Sequence, residues 1–324
     1  MHIGYDHVKI IADALRSNTS IQSIDFGGNN IGNEGVKMMM IISDVLRTNT
    51  SLQSIDLSWN MIGKDGARAI FEALRTNKTL KSINLINNYI DERSVRIIAH
   101  VLRFKNTSLQ SVNLGWNKLG WKDGIRLIAD KLISKNTSLR FVGLGGNNIG
   151  KDGARALGDA LKTNTSLQSL DLRSNLFGDE GARAIADALR SNNSNTFLRS
   201  IEIGGNGIGK EGARAIADAL RSNTSLQSME LGGNCIGNEG AQAIADAIRF
   251  NTSLTNVDLS FNTIRDKGAR ALAEALRYNT SLKSVNLENN FIVLVDTIHA
   301  ILETNEIYPF IRRKLMEQKQ ADFL

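Results

Sequence analysis

The chain has 324 residues, 42% hydrophobic and 22% charged, with a formal net charge of +6 and one cysteine, Cys235. A lone cysteine excludes an internal disulfide and points to a reducing, cytoplasmic setting; no apolar run approaches the about 20 residues of a membrane span, so no membrane partner is expected. The positive charge alone would suit a nucleic acid, but Arg68, Arg155, Arg183, Arg214 and Arg270 recur along helices and Arg16, Arg47, Arg75, Arg190, Arg221 and Arg277 at helix ends. Solvation and the helix dipole account for them there, so no nucleic acid is expected.

Residues 1–20 read as the second half of a repeat whose first half is missing, with a helix over Val8 to Arg16. Its outer side lacks a neighbour, which makes it the weakest predicted element. It is expected either to fray or to associate through Ile3, Tyr5, Ile10 and Ile11. The chain itself is expected to be a monomer in dilute solution.

From Ile21 one pattern recurs ten times, starting at Ile21, Leu52, Leu80, Leu109, Leu139, Leu167, Leu198, Leu226, Leu254 and Leu282, at steps of 28 to 31 residues. A fixed period of this size is the mark of a solenoid, in which no unit can bury its own apolar face. In the sixth copy, Leu170 and Leu172 alternate with Ser169, Asp171 and Arg173, the period of a half-buried strand. Asn175 follows, at the ninth place that Asn holds in every copy (Asn29, Asn60, Asn88, Asn117, Asn147, Asn175, Asn206, Asn234, Asn262, Asn290). Its amide can bond backbone groups that have no ladder partner. Gly178-Asp-Glu-Gly181 then opens a helix with acids in the first turn and Ala182, Ile185, Ala186 and Leu189 at helical spacing. A Ser/Thr-Asn-Thr/Ser turn closes the unit, and the glycosylation sequons it creates are read as turn chemistry.

Strand, crossover helix and parallel strand thus form the repeating step. Strands lie about 4.8 Å apart and helices about 8–10 Å, so the sheet is expected to line the inside of a curve. The expected fold is α/β: a curved right-handed solenoid with ten parallel strands on the concave face and helices on the convex face. Residues 1–324 are expected to form one domain: a half repeat to 20, ten repeats over 21–292 and a helical cap over 293–324.

Between the two core aliphatics of each strand stands a residue that faces the concave side. Along the array these are Asp25, Asp56, Asn84, Asn113, Gly143, Asp171, Glu202, Glu230, Asp258 and Asn286, six of the ten acidic and none basic. In a chain of net charge +6 this reads either as a segregated negative strip that recognises a partner or as tolerated, solvated strand residues. Trp59, Ile86, Trp116 and Phe141, in adjacent copies, have no evident core role and mark a candidate contact patch, with Phe261 as a satellite. Arg173, two residues after Asp171, belongs to the same candidate surface.

Sites for chemistry do not assemble. Gly145 to Lys151 and Gly204 to Lys210 fit the GxxxxGK spacing of a phosphate loop, but the Ser or Thr that should follow is Asp152 and Glu211, and a carboxylate there repels phosphate. His2, His7, His100 and His299 fall near no recurrent carboxylate or nucleophile, so neither a metal, a cofactor nor a catalytic pair is expected.

The LxxLxLxxN core and the helix IGxEGAxAIADAL, nearly letter for letter at Ile208–Leu220 and Ile236–Ile248, resemble the leucine-rich-repeat family. The resemblance is to the helix-backed subclass that includes ribonuclease inhibitor and the sensor regions of NOD-like receptors. It covers essentially the whole chain and implies a non-enzymatic scaffold that holds a protein or peptide partner, with a basic or polar face, on its concave side. The candidate contacts are Asp25, Asp56, Trp59, Ile86, Trp116, Phe141, Asp171, Arg173, Glu202, Glu230, Asp258 and Phe261. The alternatives are the ligand-sensing region of a larger switch protein, a microbial effector in a host cytoplasm, and a GTPase activator similar to that of Ran, whose acidic tail is replaced here by Arg312-Arg313-Lys314.

Overall fold

The computed structural model describes residues 4–29, 35–104, 108–120, 124–190 and 197–293. Ile3 and the expected cap beyond Val293 lie outside them. Three-residue strands alternate with helices: α1 (Tyr5–Ser17), β1 (Ser23–Asp25), α2 (Gly35–Thr48), β2 (Ser54–Asp56), α3 (Gly63–Leu74), β3 (Ser82–Asn84), α4 (Glu92–Phe104), β4 (Ser111–Asn113) and α5 (Gly124–Leu127). A π-helical turn (Ile128–Ile133) extends α5, and then come β5 (Phe141–Gly143), α6 (Gly150–Leu161), β6 (Ser169–Asp171), α7 (Gly178–Arg190), β7 (Ser200–Glu202), α8 (Lys210–Leu220), β8 (Ser228–Glu230), α9 (Gly237–Ile248), β9 (Asn256–Asp258), α10 (Asp266–Leu276) and β10 (Ser284–Asn286). The strands form a ten-stranded sheet in sequence order, the leucine-rich-repeat solenoid that the repeat pattern predicts.

Two compact units can be distinguished, one of Met1–Ile149 with Asp159–Asn175 and one of Gly150–Gly158 with Leu176–Leu324. In the first, β1 to β6 pair in parallel, position for position, so that Asp25, Asp56, Asn84, Asn113, Gly143 and Asp171 form one row. The aliphatics on either side of that row (Ile55 and Leu57, Ile83 and Leu85) are buried, as are Ala67, Ile70, Phe71 and Leu74 on the apolar face of α3. The π turn falls in a copy of 30 residues rather than 28. There Ser134 N–H donates to Ala129 O at 2.8 Å, five residues back, and the wider turn keeps both Leu132 and Ile133 in the core.

In the second unit, β7 to β10 pair in the same register, which aligns Glu202, Glu230, Asp258 and Asn286. Its helices approach closely because a small residue faces a small residue. A Cβ on Gly212 would lie 3.0 Å from Ala182 Cβ and 2.7 Å from both Ile208 Cγ2 and Asp179 Oδ1, so only glycine lets α8 sit this near α7. Sequence reasoning assigned the first-turn acids to their own helix dipole, but Asp179 also serves the following helix. Its Oδ1 accepts from Gly209 N–H at 2.7 Å and Gly212 N–H at 2.9 Å, and Asn238 does the same for Arg265 and Gly268. Each of these helix starts is therefore capped from the preceding repeat.

Two asparagine ladders tie the repeats together. The expected one is present: Asn88 Nδ2 donates to Leu57 O of the preceding repeat at 2.8 Å, while its Oδ1 accepts from Asn60 N–H at 3.0 Å. Asn60, Asn88, Asn117, Asn147, Asn175, Asn206, Asn234 and Asn262 are buried as expected. Asn29 and Asn290 are only half-buried, because they stand in the first and last of the ten repeats. The second ladder uses the sequon asparagines. Asn164 Nδ2 donates to Ile133 O at 2.6 Å and its Oδ1 accepts from Ser166 and Leu167 amides; Asn49, Asn77, Asn136, Asn223, Asn251 and Asn279 repeat the arrangement. The nitrogen that would carry a glycan is buried and bonded at all seven.

Candidate functional site

The candidate surface is the open face of the sheet, opposite the helices, together with the turn that leaves each strand. Alternation puts the row beginning at Asp25 on this face. The short acids and amides there have a structural task. Oδ1 of Asp25, Asp56, Asn84, Asn113, Asp171, Asp258 and Asn286 accepts the amide two residues on, at 2.7 to 3.1 Å, closing a turn. Asp or Asn at these places thus follows partly from turn chemistry, and the second oxygen differs from site to site. Asp56 Oδ2 accepts from Asn84 Nδ2 at 2.7 Å and Asp258 Oδ2 from Asn286 Nδ2 at 3.0 Å. Asp171 is buried and gripped by Arg173, with Nε and Nη2 at 3.1 and 3.0 Å from its two oxygens. That pair is neutral overall, so Asp171 and Arg173 add little net charge to the face. Glu202 and Glu230 are half-buried on β7 and β8.

The aromatic candidates separate by place. Trp59, Trp116 and Phe261 occupy the same position of their repeats, one residue before the ladder Asn, and are 60%, 58% and 58% exposed. Ile86 is half-buried, with Cγ1 leaning toward Gly115, the neighbour of Trp116. Trp59, Ile86 and Trp116 thus gather at one end of strands β2 to β4. Phe141 opens β5 opposite Ser111 and Ser169, five residues before the Trp position and so at the other end of the strand. It lies on the open face but away from the tryptophans. The Trp116 indole is seated on Gly146, where a Cβ would come within 2.5 Å of Trp116 Cδ2.

Sequence reasoning missed further exposed apolar groups. Met61, Tyr89, Leu176 and Phe291 share a position two residues later in the repeat, and Lys118 Nζ lies 5.2 Å from the Tyr89 ring centre. At the ends of α9 and α10, the Arg249 guanidinium lies 4.1 Å from the Tyr278 ring centre and 5.6 Å from that of Phe250. An aromatic at a recurrent polar place was the available signal.

The helix side is laced by ion pairs between neighbours. Glu180 takes Lys151 and Arg155 at 3.3 and 3.9 Å, and Glu239 takes Lys210 and Arg214 at 3.2 and 2.8 Å. The Lys210 hydrogen bond and charge, with Arg214 behind them, hold the Glu239 carboxyl below the usual glutamate range. These pairs are solvated and weak individually. Asp130 is lowered in the same way, first by its hydrogen bond to Lys131. Gly150 and Gly209, which ended the two apparent phosphate loops, lie at helix starts, and Lys151 and Lys210 are the lysines of these ion pairs. Among the described residues no group of three or more His, Cys, Asp or Glu is placed to hold a metal, and no helix is long and apolar enough to cross a membrane.

Comparison with known proteins agrees with this architecture. The profile described as "Leucine Rich repeat" matches residues 17–40, 48–71, 105–127, 135–158, 163–186, 194–217, 222–245 and 250–273, more than half of the chain. No curated protein matches. Among solved structures, the leucine-rich repeat-containing protein LegL7 of Legionella pneumophila is similar over 90% of this chain and 93% of its own, at 19% identity and a TM-score of 0.54. An internalin of Listeria monocytogenes is similar over 90% of this chain and 68% of its own, at 16% identity and a TM-score of 0.50. At such identities the likeness is one of fold.

Proposed function

Since this chain belongs to the leucine-rich repeat family, whose fold generally serves as a binding scaffold, we propose that it is a non-enzymatic recognition protein. It holds a protein or peptide partner on the open face of its sheet. One observation carries the reading: Trp59, Trp116 and Phe261 are each more than half exposed and stand at positive φ, 59°, 54° and 52°, which does not favour large side chains. More than half of each ring is open to solvent and the local conformation does not reward it, so the benefit proposed for it is a contact outside the chain. The partner's matching face is basic or polar, because β1 to β10 carry six acids, Asp171 among them already paired with Arg173, and no base. No residue-level observation favours the switch-sensor, effector or GTPase-activator alternatives over this one.

The test captures a protein partner with the intact chain and measures its binding to that chain and to an open-face variant. Asp25→Asn, Glu202→Gln and Glu230→Gln are combined; Asp56, Asp171 and Asp258 are left alone because Asn84, Arg173 and Asn286 depend on them. The variant should bind more slowly and more weakly while keeping the folded circular dichroism spectrum, and salt should slow the parent protein in the same way. Affinity indifferent to both would refute the reading.

A further inference from the structure

The place held by Trp59 and Trp116 has a conformational rule. Its ten occupants are Gly28, Trp59, Asn87, Trp116, Gly146, Ser174, Gly205, Gly233, Phe261 and Asn289, and every one has positive φ, between 52° and 72°. Six are Gly or Asn, the residues that commonly visit this region, and a seventh is the small Ser174, whereas a bulky side chain there is strained by about 1–2 kcal/mol. At this place the first unit accepts that strain twice, at Trp59 (φ 59°) and Trp116 (φ 54°), and two places further on it does so again at Met61 and Tyr89 (φ 55° and 56°).

The backbone at the two tryptophans is held at a defined spacing. Trp59 N–H donates to Ile86 O at 2.8 Å, Asn87 N–H to Gly115 O at 3.0 Å and Trp116 N–H to Gly145 O at 2.6 Å, so the ladder continues through this position. Trp59 and Trp116 are two strand steps apart, about 9.4–9.8 Å. A polyproline helix laid across the strands repeats its face every three residues, about 9.3 Å. An extended strand repeats at about 6.6–6.8 Å and an α-helix, after seven residues, at about 10.5 Å. The polyproline period is the nearest fit. Its backbone carbonyls have no internal partners, which suits an indole N–H, and proline rings stack on indole faces.

Charge completes the match. Strands β1 to β6 contain no basic residue, Asp25 and Asp56 stand on the same open face, Arg173 is folded onto Asp171, and Lys118 is held against the Tyr89 ring.

Resting on the recognition reading above, we propose that the Trp59–Trp116 ledge binds a proline-rich segment that carries arginine or lysine. The prolines bridge the two indoles, and the cation meets Asp56 or Asp25. Gly146 is the positioning residue beneath Trp116.

The test uses the full chain and a synthetic peptide with proline at every third place and arginines at one end. Its comparators are a scramble of equal composition and a copy with glutamate in place of arginine. Calorimetry and indole fluorescence should show saturable binding of the first peptide, weakened at least about tenfold, the hot-spot scale, in both comparators. Trp59→Gly and Trp116→Gly should each cause the same loss while leaving the protein folded, since glycine suits positive φ. Equal binding of the scramble, unchanged binding by the Trp59→Gly, Trp116→Gly double variant, or no binding at about millimolar peptide, the weak limit of specific recognition, would overturn the proposal. If the open-face variant loses its protein partner while no proline peptide binds, the recognition reading survives and this inference falls.

Discussion

Asn234 and Asn290 make nearly the same bonds in different surroundings, which isolates what burial adds to the asparagine ladder. Asn234 Oδ1 accepts from Asn206 N–H at 2.9 Å and Ile208 N–H at 3.0 Å, while Nδ2 donates to Leu231 O at 2.7 Å and Ile203 O at 3.2 Å. Asn290 Oδ1 accepts from Asn262 and Ile264 amides, both at 2.9 Å, and Nδ2 donates to Leu259 O and Leu287 O at 2.9 and 3.0 Å. Asn234 is 3% exposed, whereas Asn290 is half-buried. Asn234→Ala strands two buried amides at about 1–3 kcal/mol each, so its cost should be about 2–6 kcal/mol. At Asn290 water can replace the lost acceptor, and the cost should fall to about 1 kcal/mol, the net worth of an ordinary hydrogen bond. Urea unfolding followed by far-ultraviolet circular dichroism gives both values, and hydrogen exchange at the Ile208 amide localises the first. Equal costs, or an Asn234→Ala cost below about 1 kcal/mol, would refute the view that burial makes this ladder structural.

Three further outcomes follow from the geometry. Gly146→Val combines a β-branched residue with φ 68° and a clash against the Trp116 ring; it should cost about 1–3 kcal/mol and shift the indole emission, and unchanged emission would mean that Trp116 does not rest there. Asp25→Asn should be neutral because it keeps the acceptor for Gly27 N–H, whereas Asp56→Ala should cost about 1 kcal/mol or more by stripping partners from Ser58 and Asn84; equal melting temperatures would remove the turn role. The folded state lowers the Glu239 carboxyl, so its contribution is present above the ordinary glutamate range and lost as pH falls through the folded value. Glu239→Gln should therefore reduce the loss of stability on acidification, most clearly at low salt, and an identical acid limb would show that the Lys210 and Arg214 contacts are idle.

The repeat made the fold legible, since strand period, ladder asparagine and helix period each recur ten times and agree. What a single repeat does to its neighbour was harder to read. Asp179 looks like an acid at the start of its own helix, and only the stacking distance shows that it reaches the amides of Gly209 and Gly212. Backbone sign was hidden too. Trp59, Trp116 and Phe261 stood out as large residues in a polar column, but the column itself, rich in Gly, Asn and Ser, already carried the mark of a left-handed position. The negative strip was legible as composition but not as electrostatics, because the pairing of Arg173 with Asp171 depends on side chains two residues apart sharing one face of a strand.

Which face meets the partner is decided most directly by site-specific photo-crosslinking in the intact chain. A photoreactive residue is placed in turn at Ser82 and Ser228 on the open face, and at Arg183 and Arg270 on the helices. Adducts to one and the same protein from Ser82 or Ser228, and none from Arg183 or Arg270, are the predicted result. A partner captured only from the helix positions would contradict the account.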